Sequence, residues 1–123
     1  MRIGHIRRRS DFVRIAAKKR KWVSLGLILQ VDQTLKEDLL EGTPLRVGYT
    51  ASKKIGGAVK RNRAKRRLRA AVAHVMPFSA KNGNDYVVIA RKATLTRRFE
   101  DLQADLKKAL EKTEAAKIMQ TKK

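Results

Sequence analysis

No carboxylate occurs anywhere from Gly42 to Asn84, yet nine lysines and arginines stand between Lys53 and Arg69. A regular element built from that stretch is a polycation, so it has at most one face to bury. On a helical wheel Ala64, Leu68, Ala71, Val72 and Val75 collect in an arc of about 100°, the width of a core-facing stripe. The segment therefore predicts a helix that starts near Ala58 and docks along that stripe, with most of its remaining circumference basic. Arg61, Lys65 and Arg69 recur at i, i+4, i+8 with Asn62 and Arg66 beside them, so one surface offers forked guanidiniums, ammonium donors and an amide. A merely solvated face normally mixes signs, because like charges four residues apart cost a few tenths of a kcal/mol. This one keeps a single sign, and an anion must offset the repulsion.

The whole chain repeats the imbalance: 31 Lys and Arg against 11 Asp and Glu give a net charge of +20, and the pI is about 11.2. Such a chain calls for a polyanionic partner. Its 123 residues fit one domain, and 42% hydrophobic residues suffice for a core. With no cysteine, disulfides, thiolate zinc sites and cysteine nucleophiles are excluded. Apolar runs such as Val87 to Ala90 fall far short of the roughly 20 residues that span a bilayer. The Arg-rich N-terminus lacks an apolar signal core, and the chain reads as cytoplasmic.

Along the chain, a basic arm through Arg9 leads to a first helix capped by Ser10, with Asp11 in its first turn and a stop near Lys19. Trp22 to Val31 reads as one strand bent or bulged at Gly26, followed by a surface connection from Asp32 to Pro44. Leu45 to Ala51 alternates as a strand with one buried face, and Lys53 to Gly57 breaks it before the basic helix. Pro77 ends that helix, Asn82-Gly83-Asn84 forms a loop, and Asp85 to Ala90 is a buried strand. Thr96 caps a last helix whose Phe99, Leu102, Leu106, Ala109 and Leu110 share one face. Beyond Thr113 the period fades, and the tail is expected to be frayed.

Protein nucleases commonly need a positioned histidine or clustered carboxylates. Here the two histidines, His5 and His74, read as surface residues without a nameable partner, and no Walker loop or nucleophile elbow is present. The six aromatics are scarce. Trp22 and Phe99 suit the core, while Phe12 suits either the core or the wall of a cleft against a sheet face carrying Trp22, Leu27, Leu29 and Tyr49.

The stretch from Val47 to Arg69 closely resembles the signature of the protein subunit of bacterial ribonuclease P. Its heart is Arg61-Asn62-Arg63, preceded by Ser52, Lys53 and Lys54 and continued by Lys65, Arg66 and Arg69. Ser10-Asp11-Phe12 and the Asp85 to Arg91 strand fit the same order, so the resemblance covers almost the whole chain. It implies an α/β (α+β) two-layer sandwich resembling a ribosomal-protein domain, with a mostly antiparallel sheet of about four strands and three helices. Its βαβ crossover would be left-handed, against the general rule for such units. The RNA-binding domain would span residues 1–112, with 113–123 a disordered basic tail.

In that family the catalyst is the partner RNA, which uses Mg²⁺ bound mainly by itself to remove the 5′ leader of precursor tRNA. The resemblance implies that Lys53, Lys54, Lys60, Arg61, Asn62, Arg63, Lys65, Arg66 and Arg69 contact the catalytic RNA. Phe12, Ile15, Leu29 and Tyr49 would line a leader cleft, and neither catalytic residues nor a metal site would lie in this chain. No membrane or small-molecule substrate is expected. The sequence departs from the family pattern at Ala16 and Gln30, where aromatics are usual, and at Gly57, where Asn is common. A ribosomal protein, a DNA-compacting protein and a true protein nuclease are the rival readings.

Overall fold

The computed structural model describes residues 2–40 and 42–117. Five strands, β1 (Ile3–His5), β2 (Lys21–Val23), β3 (Leu27–Gln33), β4 (Leu45–Thr50) and β5 (Asn84–Ala90), form one sheet in the order β1-β4-β5-β3-β2. Three helices accompany it: α1 (Arg9–Ala17), α2 (Ala58–Ser79) and α3 (Phe99–Lys112). The α+β architecture matches expectation, but the sheet is mixed. β5 runs antiparallel to β3 and parallel to β4, while β1 is parallel to β4 and β2 antiparallel to β3. β4, α2 and β5 thus form a βαβ unit.

β5 occupies the centre because its run Tyr86-Val-Val-Ile-Ala is apolar on both faces. Tyr86, Val88 and Ala90 share the main core with Leu27, Leu29 and Val31 of β3, Leu45 and Val47 of β4, the α2 stripe and α3. Val87 faces the other way, with Ile6, Ile15, Phe12 and Ile89. α1 therefore covers part of the face opposite α2 and α3. Gly48 makes this close approach possible: a Cβ there would lie 2.6 Å from Cζ of Phe12. The whole predicted stripe of α2, joined by Met76, is buried, as are Leu102, Leu106, Ala109 and Leu110 of α3.

Several boundaries differ from expectation. The segment read as one bent strand is a hairpin, β2 and β3, that reverses through Ser24-Leu25-Gly26. Gly26 is needed there because Asp105 packs on it: its N–H donates to Asp105 Oδ2 at 3.0 Å, where a Cβ would lie 2.6 Å away. Arg8 rather than Ser10 occupies the first cap position, and α1 ends at Ala17 with Lys19 in the left-handed region at φ 58°. Pro77 lies inside the last turn of α2, where its fixed φ is helical and only Phe78 and Ser79 follow. Arg98, not Thr96, precedes α3, because Thr96 closes the short turn Lys92–Leu95. The basic arm contributes β1, an edge strand of three residues. Residues 113–117 are folded: Lys81 N–H donates to Ala115 O and Lys117 N–H to Ser79 O, both at 2.8 Å. The rest of the expected tail, 118–123, lies outside the described residues.

An ion-pair network joins these layers at Asp85, which is fully buried. Its carboxylate accepts two hydrogen bonds from Arg46, Nε at 2.9 Å and Nη2 at 2.7 Å, one from Arg14 at 2.5 Å, and one from the Thr34 hydroxyl at 2.8 Å. Arg14 also reaches Asp32 at 2.5 Å, while Arg8 bridges Asp11 and Asp38. Burial by itself would push the Asp85 carboxyl up, but the bonds from Arg46, Thr34 and Arg14 outweigh it and hold it below the usual carboxylate range. A depressed folded pKa contributes stability that is present above the unfolded value of about 4 and is lost as pH falls through the folded value. We expect Asp85→Asn to destabilise the fold by about 3–5 kcal/mol at pH 7, because it removes the buried carboxylate that Arg14 and Arg46 share. Its urea midpoint should also fall less between pH 6 and pH 3 than that of the wild type; equal pH dependence would exclude this role for Asp85.

Candidate nucleic-acid interface

The basic surface starts where β4 ends. Ser52 Oγ accepts the Lys54 N–H at 3.3 Å and closes a tight turn, Lys53–Ile55, that exposes both lysines. Gly56 then takes φ 140°, a value side-chain-bearing residues rarely adopt, with the Lys60 side chain against it. Gly57 is the cap of α2, and among the described residues no side chain bonds to the free N–H groups of the first turn. An Asn at that position would supply an acceptor there. Its absence leaves the positive end of the helix facing outward among cations.

Packing of the Ala64–Leu68–Val72 stripe fixes where each cation lies. Lys53, Lys54, Lys60, Asn62, Arg63, Arg66 and Arg69 are exposed, and Arg61 and Lys65 are half-buried beside the stripe. Among the described residues every ion pair involves Arg8, Arg14, Arg46, Arg97 or Arg98, so none neutralises a cation of α2. Arg67 is different: it turns toward α3 and donates to the backbone carbonyl of Arg97. The α2 surface thus brings the sequence-identified cations together as one uncompensated field.

The expected leader-cleft residues do not stay together. Phe12 is half-buried over Gly48, and Ile15 is wholly buried beneath α1. Leu29 is wholly buried in the core under α2 and α3, and Tyr49 lies on that same face with the Arg69 guanidinium 5.4 Å from its ring centre. Successive strand residues point to opposite faces, so Leu29 and Tyr49 cannot share a cleft with Phe12. Their neighbours in the strands face the α1 side. A groove of about 510 Å³ is lined by Ile28 and Ile89 together with Ser52, Lys54, Arg91 and Lys92, and Ile89 and Phe12 both pack against the cluster of Ile6, Ile15 and Val87. The alternation of β3 was visible in sequence, but the helix covering each face was not.

His5 and His74 are exposed. The His74 ring meets Phe99 edge-on, 5.3 Å between centres, and its Nδ1 lies 2.9 Å from the carbonyl of Ala70, which occupies it structurally. Among the described residues no three His, Cys, Asp or Glu side chains are grouped to hold a metal ion, and the four aspartates around Arg14 and Arg46 are engaged by arginines. No helix of the described residues is long and apolar enough to cross a membrane. What this surface can do is grip polyphosphate.

Comparison with known proteins agrees with this chemistry. The Ribonuclease P family model matches residues 2–114. The chain is 51% identical to the ribonuclease P protein component of Paramagnetospirillum magneticum, covering 98% of this chain and 94% of that protein. It is 44% identical to that of Ruegeria pomeroyi, covering 94% and 90%. Among solved structures, the Staphylococcus aureus RNase P protein superposes with a TM-score of 0.72 over 92% of this chain and 97% of that one; at 24% identity this likeness speaks for the fold. With the family model spanning nearly all of its length, the chain belongs to the ribonuclease P protein family.

Proposed function

We propose that this chain grips the catalytic RNA of ribonuclease P with the α2 surface and holds the 5′ leader of precursor tRNA in the groove beside Phe12. The chain is the protein subunit of that ribonucleoprotein endoribonuclease and serves tRNA processing. The observation that carries the RNA assignment is the single-signed face of Lys53, Lys54, Lys60, Arg61, Arg63, Lys65, Arg66 and Arg69, which no carboxylate among the described residues neutralises. Forked guanidiniums bond phosphate oxygens in pairs, and Asn62 adds a neutral donor and acceptor between them.

Mg²⁺ held by the RNA would supply the activated water and charge stabilisation for cleavage. The protein's part is to place fixed cations where RNA phosphates crowd together, which lowers the concentration of free divalent ion needed to fold and dock the RNA. The leader assignment rests on groove composition. Ile28 and Ile89 offer apolar contact to unpaired bases, Lys54, Arg91 and Lys92 rim the groove with charge, and Phe12 packs on the same face of the sheet. Ala16 on α1 and Gln30 on β3 add no aromatic there, so stacking on that face is assigned to Phe12.

A precursor tRNA at limiting Mg²⁺ should be cleaved when a bacterial ribonuclease P RNA and this protein are mixed, and not by either alone. Cleavage by the protein alone would instead restore the nuclease reading. Arg66→Ala should weaken affinity for that RNA by about 10- to 100-fold, the scale of a charge-assisted bond. Wild-type affinity should fall by roughly 10³–10⁵ between 50 and 200 mM salt if 6–10 phosphates are neutralised. For the groove, Lys92→Ala, at an exposed position, and Phe12→Ala should weaken binding of precursor tRNA more than of leaderless tRNA; equal losses for both substrates would remove the leader from this groove.

A further inference from the structure

A second groove lies on the opposite side of the sheet edge from the leader cleft. α2 crosses above β4 and β1, and between them opens a slot described by two adjoining hollows of about 230 and 270 Å³. Both are lined by His5, Tyr49 and Arg69; Val72 and Val47, almost wholly buried, belong to its apolar walls, and Arg7 borders it. No carboxylate is among the lining residues. Three planar polar groups thus converge on a narrow space at the margin of the α2 basic surface, since Arg69 belongs to both.

We propose that this slot receives one unpaired base of the partner RNA, a contact separate from the phosphate grip of α2. The inference rests on the RNA-binding reading above. Single-stranded RNA is recognised by stacking splayed bases on aromatic rings and guanidinium planes while phosphates are held nearby. The Arg69 guanidinium already lies over the Tyr49 ring, 5.4 Å from its centre, and the exposed imidazole of His5 on β1 lines the same slot. Among the described residues no protein group bonds the Tyr49 hydroxyl, which leaves it free to donate to or accept from a base edge. Burial pushes that hydroxyl up to about 12, against the opposing charge of Arg69, so it stays a neutral donor at physiological pH. Arg7, exposed at the end of the slot, is positioned for the phosphate of the same nucleotide. Charge complementarity selects RNA as the occupant: the slot is cationic, has no carboxylate in its lining, and opens beside the α2 basic face.

The test uses the full chain and a bacterial ribonuclease P RNA, with affinity measured by filter binding and base accessibility by chemical modification of Watson–Crick edges. His5→Ala removes an exposed side chain and Tyr49→Phe keeps the packing of the ring, so both should retain the wild-type melting temperature. His5→Ala should weaken binding by at least about fivefold, the lower end for loss of one stacked base. One unpaired base protected by the wild-type protein should regain reactivity with either variant. Wild-type binding that is steep in salt, combined with unchanged affinity and an identical modification pattern for both variants, would overturn the base slot and leave the α2 assignment standing. Failure of the wild-type protein to bind this RNA at all would overturn the RNA reading and the slot with it.

Discussion

Asp85 draws bonds from three separate parts of the fold. It sits on the central strand with no exposure to water, and its charge is tolerable only because Arg46 from β4, Arg14 from α1 and Thr34 after β3 all bond it. Taking α1 away would cost the buried carboxylate its Arg14 partner as well as uncover Val87 and Ile6. One side chain therefore ties α1 to this face of the sheet, and with it the cluster against which Phe12 and Ile89 pack. Main-core packing under α2 and α3 is apolar and less particular about its partners.

The same network sorts the charge of the molecule. Asp11, Asp32, Asp38 and Asp85 are four of the 11 acidic residues, and all are engaged with Arg8, Arg14 and Arg46 on the α1 side. Asp105 is tied to Arg97 at 2.8 Å. Among the described residues no carboxylate, including those of α3, forms an ion pair with a cation of α2, so a helix with like charges at successive turns keeps an unpaired field. Its stability comes from the buried stripe rather than from side-chain pairs along its surface. Arg67 turns a guanidinium donor to the Arg97 carbonyl, so even within the basic run one position serves the fold.

Much of this was readable in the residues. The α2 stripe, the buried continuous β5 and the apolar face of α3 follow from periodicity that long elements display over several repeats. Shorter signals failed for physical reasons. β1 has three residues inside an arginine-rich arm and no alternation to reveal it. The hairpin at Gly26 depends on Asp105, a residue 79 positions away that no local pattern contains. Leu29 and Tyr49 fall on the face opposite Phe12, which the sequence does not reveal because alternation says that a strand has two faces without saying which helix each one meets. Ile28, Ile89 and Lys92, which line the groove instead, needed the topology before they could be recognised. The Asp85 network was equally hidden, since its members are scattered from Arg8 to Asp85 along the chain.

The docking of Ala115 and Lys117 onto Lys81 and Ser79 has a practical bearing on handling the molecule. The chain leaves its described fold beside the C-terminal end of α2, whose 22 residues separate that point by about 33 Å from the helix start. A tether, dye or resin linkage attached behind Lys117 is thereby held at the far pole of the helix from Arg61, Asn62 and Arg63. Immobilised this way, the protein presents its basic end outward, whereas an attachment at the other terminus would lie next to β1, Arg7 and His5 and crowd the surface under study.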